Sequence, residues 1–382
     1  MGTLVSNISY WEKASLLNGF DFIIVGNGLI GSQIAIKLKK KYSLKKIGLL
    51  DRSPFSAGAS TRNAGFACFG SITELMSDCK YSSESDVSEL AEKRFKGISL
   101  LRSEFGDKNI GYKATGAWEI FTSRQEKDYE NAFDNIHYYN KLLENVTGEK
   151  ETYQAHSTSQ FGFNDSGNGL LNKAEGQLDT GMLYSTIAKT VSELGIIPLY
   201  GLTISSYKEN NTGVTIQTSE GYQLHCERLI LATNAFTKNL LPSADIVPAR
   251  GQILITKPFE KVPFKGTFHS ESGYIYFRNV GDRILIGGGR NNFIKNEETH
   301  SIENSKEVTV FLENYLREFL LPGIPFKIDM QWSGIMAMGK QNKMPMVENI
   351  SDRVFACVRM GGMGVSLGPV LAVEVCNLVS NS

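Results

Sequence analysis

Apolar and polar positions follow three rhythms along this chain, and each predicts a different element. Phe22-Ile23-Ile24-Val25 is a short, unbroken, β-branched run, as expected of a parallel strand buried on both faces. Gly26 ends it. Ile30, Ile34, Ile36 and Leu38 then recur at near-helical spacing, up to a basic stretch at 37–41 that suits the negative end of a helix. A second apolar run, Ile47-Gly48-Leu49-Leu50, closes on Asp51, so the opening segment predicts a β-α-β unit. Leu90, Phe95, Ile98 and Leu101 predict a helix over 86–105, and 115–121 reads as a strand. One long polar helix is expected over 126–143 and another over 182–194, stopped by Gly195. Strands are expected at 214–218 and 228–232, and 246–286 is mostly β. Within it Tyr274-Ile275-Tyr276-Phe277 alternates, and Ile284-Leu285-Ile286 forms a second run. A glycine-rich turn and a helix over 365–378 close the pattern. Nucleotide-type elements at the beginning, middle and end imply two interleaved domains.

Composition narrows the class. The 382 residues are 41% hydrophobic with 37 glycines, enough for a globular enzyme of two lobes. Lys+Arg and Asp+Glu are both 40, which argues against a nucleic-acid partner or an anionic membrane surface. No stretch approaches 18 consecutive apolar residues, and the first 17 lack the pattern of a signal peptide, so a cytoplasmic location is expected. Cys68, Cys79, Cys226, Cys357 and Cys376 stand far apart, which favours reduced thiols and no metal site. The histidines, His137, His156, His225, His269 and His300, pair with no evident nucleophile and read as surface or structural residues. His269 alone lies close to a candidate site segment.

The candidate chemistry begins at Gly26-Asn27-Gly28-Leu29-Ile30-Gly31, with a strand before it, a helix after it and Asp51 20 positions beyond Gly31. Gly26 makes a tight turn, Gly28 admits a pyrophosphate, and Gly31 lets helix and strand pack closely. The helix amides of Leu29 and Ile30 face phosphate, and Asp51, followed by Arg52, accepts ribose hydroxyls. A second segment, Gly58-Ala59-Ser60-Thr61-Arg62-Asn63-Ala64-Gly65-Phe66, is rich in small and hydrogen-bonding residues and suits the flank of an extended cofactor. A third, Arg359-Met360-Gly361-Gly362-Met363-Gly364-Val365, is a glycine turn opening a helix whose positive end could face a flavin ring. An ordinary surface loop and a close-packing turn are the plain readings of the last two. Together the three favour FAD over NAD.

In order and spacing these segments resemble the D-amino-acid-oxidase-like FAD-dependent oxidoreductases, nearest the glycine-oxidase, sarcosine-oxidase and γ-glutamylputrescine-oxidase branches. The likeness spans about 21–378. It includes Ala232-Thr233-Asn234-Ala235, Pro248-Ala249-Arg250-Gly251-Gln252, Tyr276-x-Arg278, Gly287-Gly288-Gly289-Arg290 and Trp332-Ser333-Gly334. The resemblance implies an α/β fold, with a split Rossmann-like FAD-binding domain interleaved with an α+β substrate domain on a large mixed sheet. The expected FAD domain is 1–106, 161–245 and 340–382, and the substrate domain 107–160 and 246–339. It also implies an adenine contact near Ile204, closure of the cofactor cleft by Ala232, Thr233 and Asn234, and an isoalloxazine contact from Met360 to Val365. The implied reaction oxidises a C–N bond of a small amine or amino acid by hydride transfer to flavin N5. Alternatives are a modified tRNA nucleoside as substrate, a non-enzymatic flavoprotein, and an NAD-dependent dehydrogenase.

Departures from that family shape the expectations further. Met336 stands where glycine-oxidase-like members hold a carboxylate-clamping arginine, so a simple α-amino acid is less expected than an amine anchored elsewhere. Arg278, Arg290 and Lys340 are other possible anchors, although a charged residue on a loop is usually solvated. Arg62 stands where some relatives attach FAD to histidine, and the flavin-linking cysteine of others is missing near 336–340, so FAD is expected to be non-covalent. Cys68 is the one thiol near enough in sequence to check. Leu285 occupies the neighbourhood of an oxygen-activating lysine, leaving oxidase and dehydrogenase both open. One of Tyr274 and Tyr276 is expected to line the substrate pocket, with the other on the opposite face. Trp332 suits either the core or the pocket.

Overall fold

The computed structural model describes residues 8–340 and 342–381. Positions 1–7, part of the stretch read for a leader, and the outermost bounds of the expected FAD domain lie outside the described residues. The chain divides into two compact units, Met1–Thr61 with Gly181–Pro248 and Met336–Ser382, and Arg62–Thr180 with Ala249–Ile335.

The first unit is built on a sheet whose order is Met346–Asn349, Val354–Val358, Gln223–Leu231, Phe20–Val25, Ile47–Asp51, Ile197–Tyr200. Phe20–Val25 pairs in parallel on both sides, which is why its inner positions are apolar without alternation. Gly213–Thr218 and Ile204–Asn210 extend the sheet as an antiparallel flap from Gln223–Leu231. The helices Leu29–Lys41 and Gly364–Asn381 pack on each other. The second is long and apolar enough to cross a membrane by mean hydropathy, but 56% of that window is buried in the fold.

The second unit carries an eight-stranded mixed sheet. Its order is Ile328–Met338, Val247–Thr256, Arg283–Gly288, Ile275–Val280, Thr267–Ser270, Ala117–Thr122, Ser166–Asn172, Tyr153–Ser157. Thr267–Ser270 and Ala117–Thr122 run parallel, whereas the hairpins around them are antiparallel. One face is closed by Phe163, Phe264, Phe268 and Phe277 with Val308 and Leu312 of the helix Lys306–Tyr315. The opposite face bears Tyr276, Leu285 and Ile253, packed with Phe66 and Trp332.

Two expectations give way to the structure. The helix expected over 126–143 is two, Glu126–Asp134 and Ile136–Thr147, because Asn135 leaves helical geometry and its amide returns to Ala132 and Phe133. The unit boundaries also differ from the expected ones: 62–106 and 161–180 belong with the second sheet. Phe69, Ile72, Leu75, Val87 and Ala91 share a core with Phe121, Tyr153 and Leu170, and Phe66–Ala67 pairs with Gly176–Gln177.

Candidate functional site

In the first unit the chemistry collects at the carboxyl end of Phe20–Val25, where the strand order reverses between Gln223–Leu231 and Ile47–Asp51. In open α/β sheets that reversal leaves a crevice for ligands. The glycines there are required by their neighbours. Gly26 has φ +108, and a Cβ on it would lie 2.5 Å from the Ala232 carbonyl oxygen. A Cβ on Gly31 would lie 1.9 Å from the Gly26 carbonyl oxygen, and one on Gly28 would lie 2.6 Å from Ser60 Oγ. Ser60 Oγ accepts the Leu29 amide at 2.8 Å, so one first-turn donor of Leu29–Lys41 is held by the 58–61 segment. Thr61 Oγ1 donates to the Ser56 carbonyl at 2.8 Å. Gly28 is the N-cap and brings no side-chain acceptor of its own, so Ile30 and Gly31 open the helix behind a bare backbone.

Asp51 accepts the Asn27 amide at 3.0 Å and the Ser53 amide at 2.9 Å. Arg52 stacks its guanidinium 3.7 Å over the Phe236 ring, immediately after Ala232-Thr233-Asn234-Ala235. Asn234 adopts φ +46, and its buried side-chain oxygen has no partner. Ile204 is buried at the start of its strand, opposite Thr218. At the second glycine turn, Gly361 and Gly362 take φ +57 and +86, the Gly361 amide donates to Ala337 at 3.0 Å, and Met363 returns to Met360 at 2.9 Å. A Cβ on Gly362 would lie 3.3 Å from Met336 Sδ. Gly364 and Val365 start the helix whose Gly368 lies against Ile30 and Gln33. A narrow glycine-walled crevice, the Asp51 carboxylate and the unpartnered Asn234 oxygen fit the pyrophosphate and ribose portions of a dinucleotide.

Sequence reasoning missed the residue inside the motif. Asn27 is buried, its Nδ2 donates to Tyr200 Oη at 2.8 Å, and its Oδ1 accepts from Ser32 Oγ at 2.8 Å. Its carbonyl accepts from Tyr184 Oη at 3.0 Å and from Ser56 Oγ. Burial pushes the Tyr184 phenol up to about 12, so it stays a neutral donor. The signal was a polar side chain between two motif glycines, at a position too crowded for solvent.

In the second unit, strand register assembles a polar row on the face away from the phenylalanine core. Gly287 lies opposite Tyr276, Tyr276 opposite His269, and His269 opposite Glu119. A Cβ on Gly287 would lie 2.5 Å from the Tyr276 ring, so the bare glycine lets the phenol lie across its neighbour strand. Phe66 meets the Tyr276 and His269 rings edge-on, with centroids 5.6 and 5.1 Å away. Burial raises the Tyr276 phenol to about 12. Tyr274 precedes the strand and is 40% exposed, with Arg290 5.8 Å over its ring. The expected opposition of the two tyrosines therefore fails, since residues two apart do not alternate faces in a strand and Tyr274 sits in the turn. Trp332 Nε1 donates to the Arg62 carbonyl at 3.0 Å, while Arg62 Nη1 donates to the Ser333 carbonyl at 2.8 Å. That reciprocal tie ends the polar capacity of Trp332 within the chain. Asn63 Oδ1 accepts the Gly65 amide and Thr180 Oγ1, both at 2.9 Å, and Ala64 packs with Leu285 and Ile253.

His269 is the histidine the sequence undervalued. It is buried, with Nε2 3.7 Å from Glu175 Oε2. Glu175 Oε1 accepts the Phe69 and Gly70 amides at 2.7 and 2.9 Å, so this carboxylate pins the 67–71 loop. Burial pushes the imidazole down, but Glu175, Glu74 and Glu119 together outweigh it and leave its pKa raised above 6.5. A raised folded-state value means stability present in full below the unfolded value and lost as pH rises through the folded one. The stability gap between the wild type and His269→Asn in urea titrations should therefore be larger at pH 6 than at pH 9, narrowing as pH rises. A constant gap across that range would show that the imidazole stays neutral.

Comparison with known proteins places the chain. The family model of the DAO FAD dependent oxidoreductases matches residues 21–378. The bifunctional protein ThiO/ThiG of Synechocystis sp. is 22% identical over 280 residues, 70% of this chain but only 38% of that protein. The glycine oxidase of Geobacillus kaustophilus is 21% identical over 277 residues, 70% of this chain and 69% of that one. Among solved structures, L-proline dehydrogenase from P. horikoshii superposes with a TM-score of 0.76 at 15% identity, covering 96% of this chain and 94% of that one. The G. kaustophilus glycine oxidase structure gives 0.74 at 18%, covering 95% of each. These identities establish a shared fold. The family match covers nearly every element described above, and on that ground this chain belongs to the DAO family of FAD-dependent oxidoreductases.

Proposed function

We propose that this protein oxidises the C–N bond of a small amine or amino acid, with FAD held non-covalently at the first unit's glycine crevice. The bound flavin supplies the two-electron acceptor. The observation that carries the reading is the aromatic wall of the second sheet. Tyr276 lies over Gly287, Phe66 stands edge-on beside it, and Ile253 and Leu285 pack with them into an apolar cluster on one sheet face. Such a surface holds and desolvates the carbon to be oxidised without a nucleophile or a triad. Similar proteins include a glycine oxidase, an L-proline dehydrogenase and an L-amino acid deaminase, each named for an amino acid. The equal numbers of basic and acidic residues favour a small molecule over a tRNA nucleoside.

The non-covalent reading has its own support. Arg62 is engaged with the Ser333 carbonyl, and no histidine stands in its segment. Cys68 is buried, and desolvation with the Glu175 and Glu74 charges raises its thiol well above the ordinary range, which makes it a poor nucleophile.

The test is anaerobic titration of the FAD-loaded protein with a panel of primary amines, secondary amines and amino acids, followed by air. One class should bleach the flavin absorbance, and its return in air reports reaction with oxygen. A chain that stays colourless after incubation with FAD overturns the cofactor reading. Failure of the whole panel to bleach a loaded protein overturns the reaction.

A further inference from the structure

An imidazole enclosed by a fold ordinarily spends its ring nitrogens on hydrogen bonds. His269 does not. It is 7% exposed, its Nε2 has no hydrogen-bond partner, and Glu175 Oε2 faces that nitrogen at 3.7 Å, an ion-pair rather than a hydrogen-bond distance. Among the described residues no hydrogen bond engages Nδ1. The carboxylate behind the ring is itself fixed: Glu175 Oε1 is occupied by the Phe69 and Gly70 amides, which leaves Oε2 for the imidazole. A ring nitrogen backed by an oriented carboxylate is the arrangement that activates a base. With Glu175 favouring a proton on Nε2, Nδ1 is the nitrogen left to accept one.

Charged groups reach His269 from each element packed against its strand. Glu119 is its partner on Ala117–Thr122, Glu74 comes from the helix Ile72–Asp78, and Glu175 precedes Gly176–Gln177. Arg94 lies 3.6 Å from Glu74 and donates to the Phe69 carbonyl at 3.0 Å. Glu119 Oε1 accepts from Ser71 Oγ at 2.9 Å and from Thr73 Oγ1, and burial still raises its pKa. Burial keeps the nearby Cys68 thiol and the Tyr153 and Tyr276 phenols neutral. The carboxylates outnumber Arg94, so a positive charge on or beside the imidazole is favoured. The other side of the ring is apolar: Phe66 meets it edge-on, as it meets Tyr276, the cross-strand partner of His269. His269 therefore stands where the apolar wall ends and the acidic cluster begins. That junction suits a molecule with a carbon body and a basic nitrogen.

We propose that His269 holds the substrate nitrogen and is the base that takes its proton, with Glu175 as the residue that positions it. This rests on the amine-oxidation reading above and deepens it. An amine arrives as an ammonium ion, which has no lone pair to push towards the adjacent carbon. One N–H bond breaks, its electron pair stays on nitrogen, and the proton passes to the imidazole, which becomes an imidazolium facing Glu175. The freed pair is then in place when the carbon gives up its hydride to the bound flavin.

The test uses the full-length FAD-loaded protein and has two arms. Calorimetry with benzylamine, an ammonium ion throughout pH 6 to 8, and with benzyl alcohol, its uncharged analogue, reads the nitrogen site. Wild-type affinity for benzylamine should fall by on the order of tenfold from pH 8 to pH 6, as the imidazole gains a proton and repels the cation. His269→Gln should abolish that dependence, and benzyl alcohol should show none in either protein. Anaerobic bleaching by the amine that reduces the flavin, at saturation and across pH, reads the base. The wild-type rate should rise with pH, because an imidazole with a raised pKa is protonated below its folded value and able to accept above it. Glu175→Gln keeps an oxygen for the Phe69 and Gly70 amides but removes the charge, so the rise should move to lower pH. His269→Gln should lose the rise and about a hundredfold or more in rate. A rise at one pH in all three proteins belongs to the amine itself and overturns the base. Benzylamine affinity with the same pH dependence in the wild type and His269→Gln overturns the nitrogen site. If His269→Gln does not hold flavin, the position of the Glu175→Gln rise decides alone. If benzylamine binding depends on His269 but no amine bleaches the flavin, the nitrogen site stands and only the reaction reading fails.

Discussion

Gly31→Ala leaves the protein without retained FAD and with a lowered melting temperature, even though alanine is the better helix former. Helix propensity alone favours the substitution by about 1 kcal/mol. The packing term is larger and opposite. The new Cβ would stand 1.9 Å from the Gly26 carbonyl oxygen, 3.1 Å from its carbonyl carbon and 3.2 Å from Ile24 Cγ2. Two of these contacts are backbone, so no rotamer change relieves them, and the helix Leu29–Lys41 must lift from the strand Phe20–Val25. Overpacking of this kind costs on the order of 1–3 kcal/mol or more. The displacement also moves the first-turn amides and Ser60, which accepts from Leu29, so cofactor affinity falls together with stability. Gly167→Ala, on the second unit's sheet, is the control: nothing lies within 4 Å of its added Cβ, and it should bind FAD and melt like the wild type. Absorbance ratios of flavin to protein after gel filtration decide the matter. A yellow, normally melting Gly31→Ala protein would mean that the close approach of strand and helix is not needed.

Glu297→Ala should destabilise the protein by roughly 3–5 kcal/mol, because it strands a buried guanidinium that is otherwise fully matched. Glu297 is almost entirely buried and gives both oxygens to Arg250, which also reaches the Glu303 carbonyl. Removing one partner loses the attraction while the desolvation of the other remains. Replacing both, Arg250→Met with Glu297→Leu, should recover most of the loss, since the penalty belongs to the lone charge rather than to the missing pair. Urea unfolding of the two single variants and the double reads this directly. Additive losses would show that the two residues support the fold separately.

Much of the first unit was legible beforehand, for a local reason. The run Phe22 to Val25, the turn at Gly26, the spacing of Ile30, Ile34 and Leu38, and Asp51 at the end of the next strand lie within about thirty residues, and their order alone prescribes the contacts they make. Less of the second unit was legible. The break at Asn135 was hidden because the polar helical pattern continues across it. Residues 62–106 joined the other core because Phe69 and Leu75 found Phe121 and Tyr153, partners that no local spacing announces. Trp332 could be read as core or pocket until its indole nitrogen was seen on the Arg62 carbonyl.

The Gly31 position and its helix were thus determined by the sequence itself, since a Cβ there is forbidden by the Gly26 carbonyl of the same motif, whereas the blocks on Gly26 and Gly28 come from Ala232 and Ser60. Tertiary structure decided the rest. Arg278 looked like any charged residue that water would satisfy, and only the register placing it beneath Gly65 and beside Gln177 removed the water. His269 read as a surface or structural histidine near a candidate site segment, and only its strand brought it opposite Glu119 and within 3.7 Å of Glu175. Charge and size are written in the chain. The dielectric around a charge, and whether a partner waits for it, are set by residues a hundred positions away.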